Sequence, residues 1–191
     1  MGGSSAFRGF VPWIIFWVVS GPSTWVYAAG GAFLAALILL PLRHHKPVRI
    51  LDIVSVVFFG ALTLAGLVLG PSRGQWLEHY AQAISSGILA IVVLGSLAFT
   101  PFTEQYAREQ TAPEVQQRPV FKQVNRTLTL VWGLAFAACA VLGVLAQQVS
   151  HGKDWLNWIL PIVLIAGAFK FTMWYPRQVR ARAAVAAPAR P

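Results

Sequence analysis

Six acidic residues, four histidines and one cysteine are the groups best suited to acid–base or metal chemistry in this 191-residue chain. The histidines, His44, His45, His79 and His151, fall between the apolar runs. A haem held by two histidines needs them on facing helices inside a bundle. Neighbours such as His44 and His45 point about 100° apart on a helix and so do not form the i, i+4 pair of a metal site. Glu78-His79-Tyr80 with His151 makes a weak ligand set, explained more simply as polar boundary residues. Glu104, Tyr106, Arg108 and Glu109 form the one cluster able to face a lipid headgroup catalytically, and that reading requires Glu104, Arg108 and Glu109 to converge on one cavity. No G-x-S-x-G, H-E-x-x-H, C-x-x-C or Walker loop is present. The sequence therefore reads as non-enzymatic, with no cofactor and no metal. Cys139 lies alone in an apolar run, where it reads as a small packing residue.

The elements that would position such residues are membrane helices. Hydrophobic residues make up 57% of the chain and charged ones 11%, against roughly 25% charged in a soluble domain. Residues 9–42, 53–72, 80–103, 127–150 and 155–169 carry no Asp, Glu, Lys or Arg. About 20 apolar residues cross the roughly 30 Å of hydrocarbon. The pattern predicts an all-α, polytopic transmembrane helical bundle, with full spans near 23–42, 51–71, 80–100, 124–147 and 155–175. A short membrane helix precedes them.

That first helix depends on "GFVPWIIFWVVSGPSTWVYAAGG", residues 9–31. A signal peptide, with Arg8 before the apolar run and cleavage near Val26-Tyr27-Ala28, is one reading. Against it, the apolar character resumes at once and continues to Leu42. A single helix over 9–42 would be about 51 Å long. Gly21-Pro22 reads instead as a helix stop followed by a start, with Ser20 or Ser23 as a cap, so two segments meet in a tight turn.

The net charge of +9 is distributed along the chain by loop. Twelve of the fifteen basic residues fall in 43–49 (Arg43, Lys46, Arg49), in 101–126 (Arg108, Arg118, Lys122, Arg126) and from Lys170 onward (with Arg177, Arg180, Arg182 and Arg190). Only Arg73 and Lys153 lie on the other side, with Arg8 left over. The positive-inside rule makes the basic side cytoplasmic, in a bacterial inner membrane with the C-terminus inside. It also explains the charge without nucleic acid. Trp25, Trp76, Tyr80, Trp155 and Trp158 would mark the outer boundary, and Tyr106, Trp132, Trp174 and Tyr175 the inner one. Arg43, Lys46, Arg49, Lys170, Arg177 and Arg180 are then placed to meet lipid headgroups. Asp52 reads as a helix-end charge near Arg49, and Lys170 as a snorkelling lysine. No span supplies the midplane charge that coupled transport normally uses.

The one long loop, 101–126, predicts a short amphipathic interfacial helix over about 101–118. Pro101 begins it, Phe102 and Tyr106 share a face, and Glu104 pairs with Arg108 at i, i+4. Pro119 then starts the next span. Residues 1–176 read as a single transmembrane domain and 177–191 as a mobile, basic cytoplasmic tail placed to touch anionic lipid. Small residues at four-residue spacing form packing or partner faces: Gly31/Ala35, Ala61/Ala65, Gly66/Gly70, Gly133/Ala137 and Cys139/Gly143.

"FVPWIIFWVV", a turn, an Ala-rich span, the basic "RHHKPVR", and "VVFFGALTLAGLVLG" closing on Trp76 and a span to about Phe99 resemble the intracellular septation protein A family of small bacterial inner-membrane proteins. The likeness covers about residues 9–100. The family follows its tryptophan with Lys-Pro, whereas Leu77-Glu78-His79 stands here, and "TPFTEQYARE" with "VNRTLTLVWGLAF" departs from it. The resemblance implies an envelope or cell-division support protein without catalytic residues. On that reading the chain is a non-catalytic scaffold whose partners are lipids and other membrane proteins or itself. The alternative is a small oligomeric channel lined by Ser55, Thr63, Ser85, Ser86 and Ser96.

Overall fold

The computed structural model describes residues 4–21, 23–41, 48–149 and 154–186, with side chains described for 9–21, 23–41, 48–70, 74–149 and 154–182. Among the described residues there is no strand. The helices are α1 (Ser4–Val19), α2 (Trp25–Leu39), α3 (Ile50–Arg73), α4 (Gln75–Gly95), α5 (Phe102–Ala107), α6 (Pro113–Gln116), α7 (Pro119–Ala146) and α8 (Leu160–Ala186). Tight 3-10 turns follow α4 at Ser96–Ala98 and α5 at Arg108–Gln110. Past its first turn a helix pairs each backbone amide within itself, which is what a hydrocarbon solvent demands.

Four stretches are long and apolar enough to cross a membrane: Ile50–Gly70, Gln75–Ala98, Pro119–Ala146 and Trp155–Arg182. The span expected over 23–42 differs. α2 has 15 residues of regular helix, about 23 Å, because its last backbone bond is Leu40 N–H to Ala36 O and Pro41 has no amide to continue it. The chain groups into two compact units, one ending at Ile88 and one beginning at Leu89, where the sequence reading drew one domain over 1–176.

In the first unit, α1 and α2 pack against each other and both pack on α3. Trp13 of α1 stacks on Phe58 (5.3 Å between ring centroids) and meets Phe59 at 4.8 Å. α1 breaks where Gly-Pro predicts. Neither Ser20 nor Ser23 caps α2: the N-cap residue is Thr24, which makes no side-chain bond to the α2 amides and instead donates its hydroxyl to Val19 O at 2.8 Å, at the end of α1. Ser23 adopts a left-handed φ of 64° and its amide donates to Glu78 Oε1 at 3.0 Å. Between α3 and α4 there is almost no loop. Gly70, at φ 63° and ψ 179°, bends the chain, in a region essentially reserved for glycine.

In the second unit, the end of α4 meets α7 at Gly133. α7 and α8 form an antiparallel hairpin, fixed by the Trp132 indole donating to Thr172 Oγ1 at 2.9 Å. α8 is entered through a π turn over Trp155–Ile159, in which Leu160 N–H bonds Trp155 O. Pro161 follows it, and a proline ring cannot sit against the carbonyl four residues back, so the turn widens. The tail read as mobile from 177 is helical as far as Ala186. Alanine and arginine, which dominate it, are strong helix formers. Residues 187–191 lie outside the described residues.

Candidate functional site

The small-residue faces divide into three kinds. Gly66 is a contact the fold requires: a Cβ there would lie 2.7 Å from Val26 Cγ2 and 3.1 Å from Trp25 Cη2. Gly133 is another, since a Cβ would overlap the Leu94 side chain. Cys139 and Gly143 are also buried, with Ala137 half-buried beside them. A Cβ at Gly31 would meet Ile15 Cγ2 at an ordinary 3.9 Å, and Ala35 is half-buried. Gly70, paired with Gly66 in the sequence reading, does not pack: nothing lies within 4 Å of a Cβ there, and its role is the bend. Ala61 is exposed and Ala65 half-buried. Ala61 belongs to an open stripe of α3 with Ile53, Val57, Leu64 and Val68, all more than half exposed.

The segment 101–118 is three short pieces. α5 spans Phe102–Ala107, a 3-10 turn follows, and α6 spans Pro113–Gln116. Phe102 and Tyr106 share a face as expected, with rings 5.2 Å apart. That face is not laid on an interface, because both residues are buried in the unit, at 3% and 4% exposure. The reason is polar. Thr103 holds α5 on α7, with its hydroxyl donating to Asn125 O at 2.7 Å and its amide to Thr129 Oγ1 at 3.2 Å. The Phe102 amide donates to Ser96 Oγ at 2.9 Å. Glu104 and Arg108 form the expected pair, with Arg108 Nη2 donating at 2.6 Å. The carboxylate is 4% exposed and the guanidinium side chain 49%. That arrangement neutralises the carboxylate, as befits a buried charge.

The basic residues fall into two groups. Arg49, expected among lipid headgroups, is buried at 2% exposure at the start of α3. Its amide donates to Asp52 Oδ2 at 2.9 Å, so the Asp52 carboxylate caps the start of α3 and is not only a solvated end charge. Lys170, Arg177 and Arg180 are exposed along α8. Arg43 and Lys46 lie outside the described residues, as do His44, His45 and His151.

Sequence reasoning missed a recurrent bond: an indole N–H donating to a hydroxyl on a neighbouring helix. Trp13 donates to Ser55 at 2.8 Å, Trp17 to Ser85 at 2.9 Å, and Trp132 to Thr172. Ser55 and Thr172 also donate to carbonyls four residues back, and Ser85 to Gln82 O three residues back. The signal available was a Trp and a Ser or Thr in different apolar runs, which does not say who meets whom. Trp25, read as a boundary residue, is likewise buried, lodged beside Gly66 and Gly74. Among the described residues no group of three His, Cys, Asp or Glu could hold a metal ion. No protein-family model, curated protein or solved structure matches this chain.

Proposed function

We propose that this chain is a non-catalytic scaffold or accessory protein of a bacterial inner membrane, supporting envelope or cell-division machinery through helix–helix contacts. On this reading the four long apolar helices cross fully, and the shorter α1 and α2 complete the bundle beside α3. α2, though short, runs alongside α3 from Trp25 beside Gly66 to Phe33 beside Gly60, and so shares its depth. The α7–α8 hairpin brings the basic start of α7 and the basic end of α8 to one end, which supports a cytoplasmic C-terminus.

The observation that carries the reading is the α3 stripe of Ile53, Val57, Ala61, Leu64 and Val68. It is straight and apolar, has a small residue at its centre, and is left open by the chain itself. Only 22% of the α3 apolar window is buried. Helices associate in lipid where a small residue admits a close neighbour. The channel reading is less well supported, because Ser55, Ser85 and Ser96 are buried and their hydroxyls are engaged in hydrogen bonds.

Ala61→Cys in a Cys139→Ala background, crosslinked in native membranes, tests the proposal. An adduct with a second copy or with another membrane protein supports it. A chain that remains monomeric at every position along the stripe overturns it.

A further inference from the structure

The face of α8 turned away from α7 carries an unusual sequence of side chains. Val163, Ala166, Gly167, Lys170, Trp174 and Arg177 are all exposed, and at 100° per residue they share one stripe. Nothing lies within 4 Å of a Cβ at Gly167. The stripe therefore runs from an open, small-residue face to two cations set about 10 Å apart along the axis, with an indole between them. Trp174 is held beside Phe171, with ring centroids 5.9 Å apart, and is 52% exposed.

Lys170 sets the chemistry. It lies one turn nearer the apolar centre than Trp174 and Tyr175, on an exposed face. Among the described residues no acid pairs with Lys170 or with Arg177, whereas Arg108 is paired with Glu104. Snorkelling toward the end of α8 brings the Lys170 ammonium to headgroup level, and the protein supplies no counter-charge there from α8, whose described residues include no Asp or Glu. We propose that this stripe is a binding site for one anionic phospholipid. Its phosphate lies between Lys170 and Arg177 beside the Trp174 indole, and an acyl chain lies over Ala166 and Gly167. The small residues make room for the chain, and the spacing of the cations selects for charge at the headgroup. The inference rests on the membrane reading above but not on the scaffold role.

The test uses the full chain released from nanodiscs containing equal phosphatidylglycerol and phosphatidylcholine, with retained lipid measured by native mass spectrometry. Wild type should retain phosphatidylglycerol in preference. Lys170→Gln and Arg177→Gln should each lower that retention about fivefold, at roughly one surface charge apiece. Gly167→Leu keeps the charges and should lower retention of both lipids by taking the place of the acyl chain on this face, whereas Lys122→Gln on α7 should leave retention unchanged. Equal retention of the two lipids, wild-type behaviour of Lys170→Gln/Arg177→Gln, or a lipid-free dimer would each overturn the site. Alkaline carbonate extraction separates the two levels. A chain released into the supernatant refutes the membrane reading, and a chain that stays in the membrane without lipid preference refutes this site alone.

Discussion

Gly66→Ala is the sharpest test of how the first unit is held together. The added Cβ would lie 2.7 Å from Val26 Cγ2, 3.0 Å from Val26 Cγ1 and 3.1 Å from Trp25 Cη2. To reach ordinary contact, Val26 must retreat by about 0.7 Å. Trp25 cannot yield easily, since it is 4% exposed and a Cβ at Gly74 would already stand 3.3 Å from its Cζ2. Overpacking of this kind costs about 1–3 kcal/mol, while alanine gains up to about 1 kcal/mol over glycine inside a helix. Gly167→Ala isolates the second quantity, because its Cβ meets nothing within 4 Å. The propensity gain then cancels between the two variants, and Gly66→Ala should be less stable than Gly167→Ala by about 1–3 kcal/mol. Unfolding in mixed micelles with increasing dodecyl sulfate, followed by far-UV circular dichroism, measures the difference. Val26→Ala should restore room, so the double variant Gly66→Ala/Val26→Ala should lose less than the sum of its parts, with a coupling of about 0.5 kcal/mol or more. Equal stability of the two glycine variants, or strict additivity with Val26→Ala, would refute the close approach of α2 to α3.

Three further outcomes follow from single contacts. Gly70→Ala forces a Cβ onto a backbone at φ 63°, ψ 179° and should cost about 1–3 kcal/mol in the same unfolding measurement. Ser55→Ala leaves the Trp13 indole N–H without its acceptor; the loss should be about 0.6–1.7 kcal/mol, between the average and the largest value for interhelical bonds in membranes. Thr103→Val removes the hydroxyl that bonds Asn125 O and Thr129 Oγ1. Amide exchange over Phe102–Ala107 should then quicken by about tenfold or more while α7 keeps its protection, because about 1–2 kcal/mol of local hydrogen bonding is lost.

In its amino-acid pattern alone the chain specified that it is helical, where most of its long apolar helices run and where they break. Each of these depends on local chemistry: charge-free runs of about 20 residues, Gly21-Pro22 as a stop and start, Pro119 at a helix start, Glu104 and Arg108 one turn apart. Pattern alone did not distinguish the uses of similar small residues. Gly66, Gly70 and Gly167 all stand in apolar helices. One is a contact, one a bend and one lies on an open face, because what a glycine does depends on the backbone or side chain brought opposite it. The same holds for Trp13, Trp25 and Trp132, whose composition suits a membrane boundary and whose partners lie on other helices. The Thr103 clamp and the burial of Arg49 were decided at that level too. Local sequence sets which faces are apolar and where helices stop, whereas pairing between helices is a long-range choice made by the shapes of the faces that meet.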